Sequence, residues 1–189
     1  MARLLTAPRR QPSRRLAALT LTLALSALAA CGGDDGTIDD PKLPYSFTYP
    51  DDLQAGGEST NRAREQSFGN QTIVAKRNGQ DLIAVQTQPL RRPVTPRLVK
   101  RVKREVEQSA RRTGKVKEKS DTRVAGLEGI KFEMSLQGDT GVPLGAQWIY
   151  AAKDRTLYWI NCQWQNDRPA VLKACDEVVR SFRVRRPSG

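Results

Sequence analysis

The chain has 189 residues, with 32 Lys and Arg against 20 Asp and Glu, a net charge of +12 at neutral pH and no histidine. Without imidazole, the usual general base of serine and cysteine hydrolases and the commonest ligand of catalytic zinc are both missing. Carboxylate-only catalysis is the enzymatic route left to weigh, and the surplus of cations points to anionic partners.

Residues 1–30 read as a leader. Arg3, Arg9, Arg10, Arg14 and Arg15 precede an apolar run of 13 residues from Leu16 to Leu28, and no acid interrupts either part. A basic segment, a short apolar segment and small residues before a cut mark a secretory signal; a bilayer-spanning helix would need about 20 apolar residues. Leu28-Ala29-Ala30-Cys31 resembles the lipobox of bacterial lipoproteins. The resemblance implies cleavage before Cys31 and a diacylglyceryl group on its thiol. Ordinary signal peptidase favours a small residue three places before the cut, where bulky Leu28 stands. Ser13-Arg14-Arg15 hints at twin-arginine export, but Ala17 occupies a place where that motif has a bulky apolar residue, so general secretion is the default. The expected location is the extracytoplasmic face of a cell membrane, with the lipid anchor as the link to it; two or more acyl chains hold stably, each buried methylene contributing about 0.8 kcal/mol.

Cleavage after residue 30 leaves 159 residues, enough for one core. Five arginines depart with the leader, so 27 cations face 20 acids and the charge falls to +7. Outside the cytoplasm such a surface favours lipid headgroups or wall polymers, and no nucleic-acid partner is expected. Residues 31–44, rich in Gly and Asp, read as a flexible tether; the pairs Asp34-Asp35 and Asp39-Asp40 lack the alternating spacing of a calcium loop, so no metal is expected. A single α+β domain is expected over residues 45–184, with 185–189 as a tail.

Within the domain, Tyr45, Phe47 and Tyr49 alternate with Ser46 and Thr48 as in a half-buried strand, and a polar loop follows from Gly56 to Gln66. Two β-prone runs, 72–76 and 82–87, flank Asn78-Gly79, a strong hairpin signal. Thr95-Pro96 supplies an N-cap and a first-turn proline for a helix whose apolar stripe is Leu98, Val99, Val102, Val106 and Ala110, stopped by Gly114. Its other faces carry Arg97, Lys100, Arg101, Lys103, Arg104, Arg111 and Arg112, with Arg101–Glu105 and Glu107–Arg111 spaced for ion pairs. Residues 115–123 read as an edge strand protected by charge. Gly126-Leu127-Glu128-Gly129 reads as a turn before Ile130, Phe132 and Met134; a partner strand spans 146–151, and Asp154-Arg155 turns the chain into 157–164. There Tyr158, Ile160, Cys162 and Trp164 share one face. Asp167 and Pro169 open a last helix with the stripe Val171, Leu172, Cys175, Val178, Val179 and Phe182.

Acylation of Cys31 leaves Cys162 and Cys175 as an even pair in a compartment where disulfides persist. The alternative is two small buried thiols. Cys162 on an apolar strand face and Cys175 on the stripe of a helix that folds back over the sheet favour the bridge, which would contribute about 3 kcal/mol.

The order strand, hairpin, helix, antiparallel strands, helix specifies an α+β domain, an antiparallel β-sheet covered by helices. Tyr45-Ser46-Phe47-Thr48-Tyr49-Pro50, Gly126 and Gly129 before the Phe132 strand, and the closing helix with Cys175 and Ser181-Phe182 resemble the Mog/PsbP-like α/β/α sandwich, used by actinobacterial envelope lipoproteins of the LpqN type. One departure is that Asp51-Asp52-Leu53 follows Tyr49-Pro50, where such proteins often have Gly-Trp. The resemblance covers about residues 45 to 183. It implies a non-enzymatic binding or accessory role toward a protein partner or a lipid or wall ligand, with no cofactor and no catalytic residue.

Asp51, Asp52, Glu128 and Asp139 are the acids a wall-glycan hydrolase could use, the alternative reading, though turn or surface roles account for each. The cations of the first helix are candidates for contact with an anionic surface. Trp148 and Tyr150 share a strand face, whereas Trp159 points away from Tyr158 and Ile160; core packing is the favoured role for these rings, and with the sheet covered on one side only, Trp159 would instead be exposed as a ligand or partner patch.

Overall fold

A computed structural model describes residues 36–56, 71–75, 80–138 and 141–185. Cys31 and the leader, the loop 57–70, Asn78-Gly79, Asp139 and residues 186–189 lie outside the described residues. The elements are β1 (Gly36–Ile38), β2 (Tyr45–Tyr49), β3 (Gln54–Ala55), β4 (Gln71–Ala75), β5 (Leu82–Pro89), α1 (Pro96–Thr113), β6 (Lys115–Val124), β7 (Leu127–Gln137), β8 (Pro143–Lys153), β9 (Thr156–Trp164), α2 (Arg168–Ser181) and β10 (Arg183–Val184).

Among the described residues the strands make two sheets. Seven run in the order β3-β4-β5-β9-β8-β7-β6, every neighbouring pair antiparallel, and three short ones run β1-β2-β10. The α+β class with an antiparallel sheet covered by helices is therefore present, and both faces of the large sheet are covered. On one face, Ile83, Val85, Ile149, Tyr158, Ile160, Cys162 and Trp164 pack against β2 and against Val171, Ala174, Cys175 and Val178 of α2. On the other, Ile130, Phe132, Met134, Trp148, Tyr150 and Trp159 pack against Val102, Val106 and Ala110 of α1. Two covered faces explain why the central strands read as apolar runs with little alternation: Leu82 to Val85 and Leu157 to Ile160 are buried throughout.

Both helices begin where the sequence places them. Thr95 Oγ1 accepts from the Leu98 N–H at 3.2 Å and Asp167 Oδ1 from the Ala170 N–H at 3.0 Å, each satisfying a first-turn donor. Gly114 ends α1 in an extended conformation rather than a left-handed one, its N–H donating to Ala110 O. A Cβ there would lie 2.5 Å from the Ser135 carbonyl oxygen, so close approach is what requires glycine.

Three local readings change. The turn between β6 and β7 is Ala125-Gly126, with φ of 51° and 77°, and Leu127 to Gly129 already belong to β7. Both central residues have positive φ, the twist that suits a two-residue hairpin. Gly129 is a strand residue whose Cβ would collide with the Tyr150 carbonyl. Residues 36–44, expected within the tether, contribute β1, and the Leu43 N–H donates to Asp40 O at 3.0 Å. Arg185, expected in the tail, donates its N–H to Pro44 O, pairs with Asp39 and donates from Nη1 to Asp40 O.

The α2 face is built around rings. Phe182 is fully buried and stacks on Tyr45 with centroids 5.7 Å apart, beside Phe47 at 6.4 Å and edge-on to Tyr158 at 5.9 Å. The Tyr45 hydroxyl bonds Thr72 Oγ1 at 2.8 Å and donates to Val85 O at 3.2 Å; burial pushes its pKa up to about 12, against a smaller opposing effect of the Thr72 bond. Cys162 and Cys175, both fully buried, are joined as the sequence reading favoured, with Cα atoms 5.9 Å apart.

Candidate functional site

The α1 stripe of Val102, Val106 and Ala110 repeats at fours and seats the helix over β6 and β7. Farther across the same face, between α1 and strands β5, β8 and β9, lies a cavity of about 330 Å3. Antiparallel register sets its floor: Trp159 of β9 is opposite Tyr150 of β8 on one side and Gln86 of β5 on the other. Trp148, two residues before Tyr150, points to the same face.

The three rings meet at a corner. Tyr150 and Trp159 lie parallel, centroids 5.6 Å apart at 9°, and Trp148 stands across them, 5.0 Å from Trp159 at 76° and 6.4 Å from Tyr150 at 83°. Such offset and edge-on pairs each contribute about 0.5–1.5 kcal/mol beyond the area they bury. The wall from α1 is polar: Glu105 and Ser109, one turn apart, line the cavity beside Val102 and Val106. At the site Gln86 Oε1 and Trp148 Nε1, on residues 8% and 3% exposed, lack a hydrogen-bond partner among the described residues. A polar group left unpaired on burial costs about 1–3 kcal/mol, so a partner reaching these atoms from the cavity would be favoured.

Trp159 corrects the premise behind its selection. It is 9% exposed because α1 covers this face, so it is no open surface patch; it reaches the cavity from inside. The candidate acids are not gathered there: Asp51 and Asp52 are exposed in the turn after β2, Glu128 is exposed at the start of β7, and Asp139 lies outside the described residues. Glu105 is the carboxylate that lines the cavity.

The basic face of α1 is partly neutralised. Lys103 pairs with Asp121 at 2.7 Å; Glu107 accepts from Arg111 at 2.9 Å and from Lys119 at 2.6 Å. The Lys119 and Arg111 hydrogen bonds hold the Glu107 carboxyl below its usual range, and Lys103 does the same for Asp121. The pairing expected between Arg101 and Glu105 does not form among the described residues; both side chains are exposed, and Glu105 also borders the cavity. Arg97, Lys100, Arg101, Arg104 and Arg112 are exposed. Sequence reasoning missed Gln86, Glu105 and Ser109. The available signals were a glutamine inside the buried run of β5 and a polar pair spaced i, i+4 along the flank of the α1 stripe.

Among the described residues no helix is long and apolar enough to cross a membrane. No protein-family model matches the sequence, and no curated protein does. Solved structures match in fold. A chain from Bacteroides thetaiotaomicron superposes with a TM-score of 0.56 at 9% identity, over 81% of this chain and 49% of that one, so this chain spans about half that relative's length. The solution structure of cyanobacterial PsbP (CyanoP) from Synechocystis gives a TM-score of 0.52 at 17% identity, over 83% of this chain and 98% of that one. LpqN of Mycobacterium tuberculosis, a protein involved in cell envelope biogenesis, gives 0.45 at 11% identity, over 82% and 88%. The fold is PsbP-like, and at these identities the likeness is one of fold.

Proposed function

We propose that this chain is a lipid-anchored protein of the cell envelope whose PsbP-like domain binds a ligand or partner without catalysing a reaction. The cavity carries the reading: aromatic rings and a few buried polar atoms converge in a concavity of ligand size, and a single carboxylate accompanies them. A hydrolase of wall glycans requires two carboxyl groups flanking one bond, and Asp51, Asp52 and Glu128, three of the acids singled out for that role, are exposed away from the cavity. The anchor rests on the leader and Leu28-Ala29-Ala30-Cys31. In this reading the exposed cations of α1 add attraction to anionic lipid headgroups, each near-surface charge contributing about 1 kcal/mol.

Two measurements test the parts separately. The intact mass of protein from native membranes should correspond to a chain starting at Cys31 with a diacylglyceryl-sized adduct that Cys31→Ala abolishes; an unmodified soluble chain refutes the anchor. The neutral dye N-phenyl-1-naphthylamine should accept energy from Trp148 and Trp159 on binding, and Ser109→Phe, which fills the cavity from α1, should weaken its binding roughly tenfold or more. Absence of binding, or binding untouched by Ser109→Phe, refutes the cavity as a ligand site.

A further inference from the structure

The geometry points to a small organic cation as the occupant of this cavity: a quaternary ammonium or amine that also carries a hydroxyl. The inference rests on the ligand-binding reading above and specifies its chemistry. Charge is the first observation. In a chain with 32 cations to 20 acids, the lining includes no Lys or Arg, and its one formal charge is Glu105. That carboxylate stands on the most basic element of the domain, yet among the described residues no cation pairs with it, while Glu107 two residues on is paired twice. Glu105 is exposed, with Arg101 and Arg104 nearby on the same helix, but it is the one charge in the lining itself, and there it favours a cation over an anion.

The rings are the second observation. Trp148, Tyr150 and Trp159 all line the cavity, and a cation within about 6 Å of an aromatic face is attracted by the ring quadrupole, most strongly where water is excluded. Quaternary ammonium groups suit aromatic sites because they have no N–H donors to satisfy and so lose less on leaving water than a primary ammonium does. The polar atoms are the third. Gln86 Oε1 can accept and Trp148 Nε1 can donate a hydrogen bond, and a hydroxyl is able to pair with either. Ammonium for the rings and Glu105, and hydroxyl for Gln86 and Trp148, together describe an amino alcohol, free or as the headgroup of a larger molecule.

Choline and its uncharged carbon isostere, 3,3-dimethylbutan-1-ol, differ in charge and little in shape, so comparing them isolates the inference. Titrated into the full chain at constant ionic strength and followed by tryptophan fluorescence, choline should bind roughly tenfold or more tighter than the isostere. Glu105→Gln should reduce that preference to about threefold or less with little change in the thermal midpoint, because the side chain is exposed. Equal binding of the two compounds overturns the cationic ligand while leaving a cavity that takes neutral ones. Failure of both to bind, with N-phenyl-1-naphthylamine still bound, has the same meaning, and failure of all three overturns the ligand-binding reading as well. A preference undiminished in Glu105→Gln refutes the role given to that carboxylate.

Discussion

Breaking the Cys162–Cys175 bridge tests how the α2 face is held. The linked residues are 13 apart, and in the chain-entropy model a loop of that size contributes about 3 kcal/mol by restricting the unfolded chain. A second effect acts in the folded state: Gln147 Nε2, on a residue 8% exposed, donates to Cys175 Sγ at 3.4 Å. Reduction keeps the sulfur and should cost only the entropic part. Replacing both cysteines by alanine also leaves the Gln147 amide without an acceptor, which adds about 1–2 kcal/mol. Urea unfolding of oxidised, reduced and double-alanine proteins should therefore rank in that order, separated by about 3 and then a further 1–2 kcal/mol, with a larger denaturant slope for both uncrosslinked forms. Reduction that costs under about 1 kcal/mol would show that the unfolded chain keeps β9 and α2 together unaided. Equal stability of the reduced and double-alanine proteins would show that the Gln147 contact contributes nothing.

Other expectations concern the same core and the α1 surface. Phe182→Ala empties the centre of the ring cluster and should cost about 3–5 kcal/mol by urea unfolding, and Phe182→Leu clearly less. Tyr45 has a folded pKa raised to about 12 from an unfolded value near 10, so its contribution is fully present below pH 10 and is lost as pH rises through 12. That loss totals about 3 kcal/mol, and Tyr45→Phe should remove this alkaline limb from the stability profile. Glu107 has its pKa lowered, so its pairing is intact above the usual carboxylate range and fails as pH falls through its own; Lys119→Ala should raise its midpoint in an NMR titration without shifting global unfolding.

Much of this fold is legible because its local signals agree with its tertiary contacts. Thr95-Pro96 and Asp167 mark both helix starts, β2 alternates with rings inward, and β6 advertises an edge through its charges. The failures have physical causes. Ala125-Gly126 was missed as the turn because the alanine gives no sign that it will take a positive φ, and Gly129 imitates a turn residue while serving as a gap for the Tyr150 carbonyl. β1 has three residues and gains its stability from Tyr49, Thr48 and Phe47 across the ladder, information that no local window contains. The cavity was half legible. The late aromatic cluster and the division of β9 into two faces were readable, but the depth of the site depends on where α1 lies, and Glu105 looked like an ion-pair partner for Arg101 until the helix had a position.

The small three-stranded sheet has a consequence for the order of events as the chain folds. β2 lies between β1 from the start of the domain and β10 from its end. The Thr48 N–H reaches Ser181 Oγ across 133 residues, and Arg185 reaches Asp40 across 145. Contacts this distant in sequence close the longest loops in the molecule, and such topologies fold slowly. Tyr45, Phe47 and Tyr49 therefore lack their principal cover until α2 and Phe182 arrive. A ribosome-bound chain ending before residue 168 leaves these rings without the cover of α2 and Phe182, so residues 168–185 act as the latch that completes the domain.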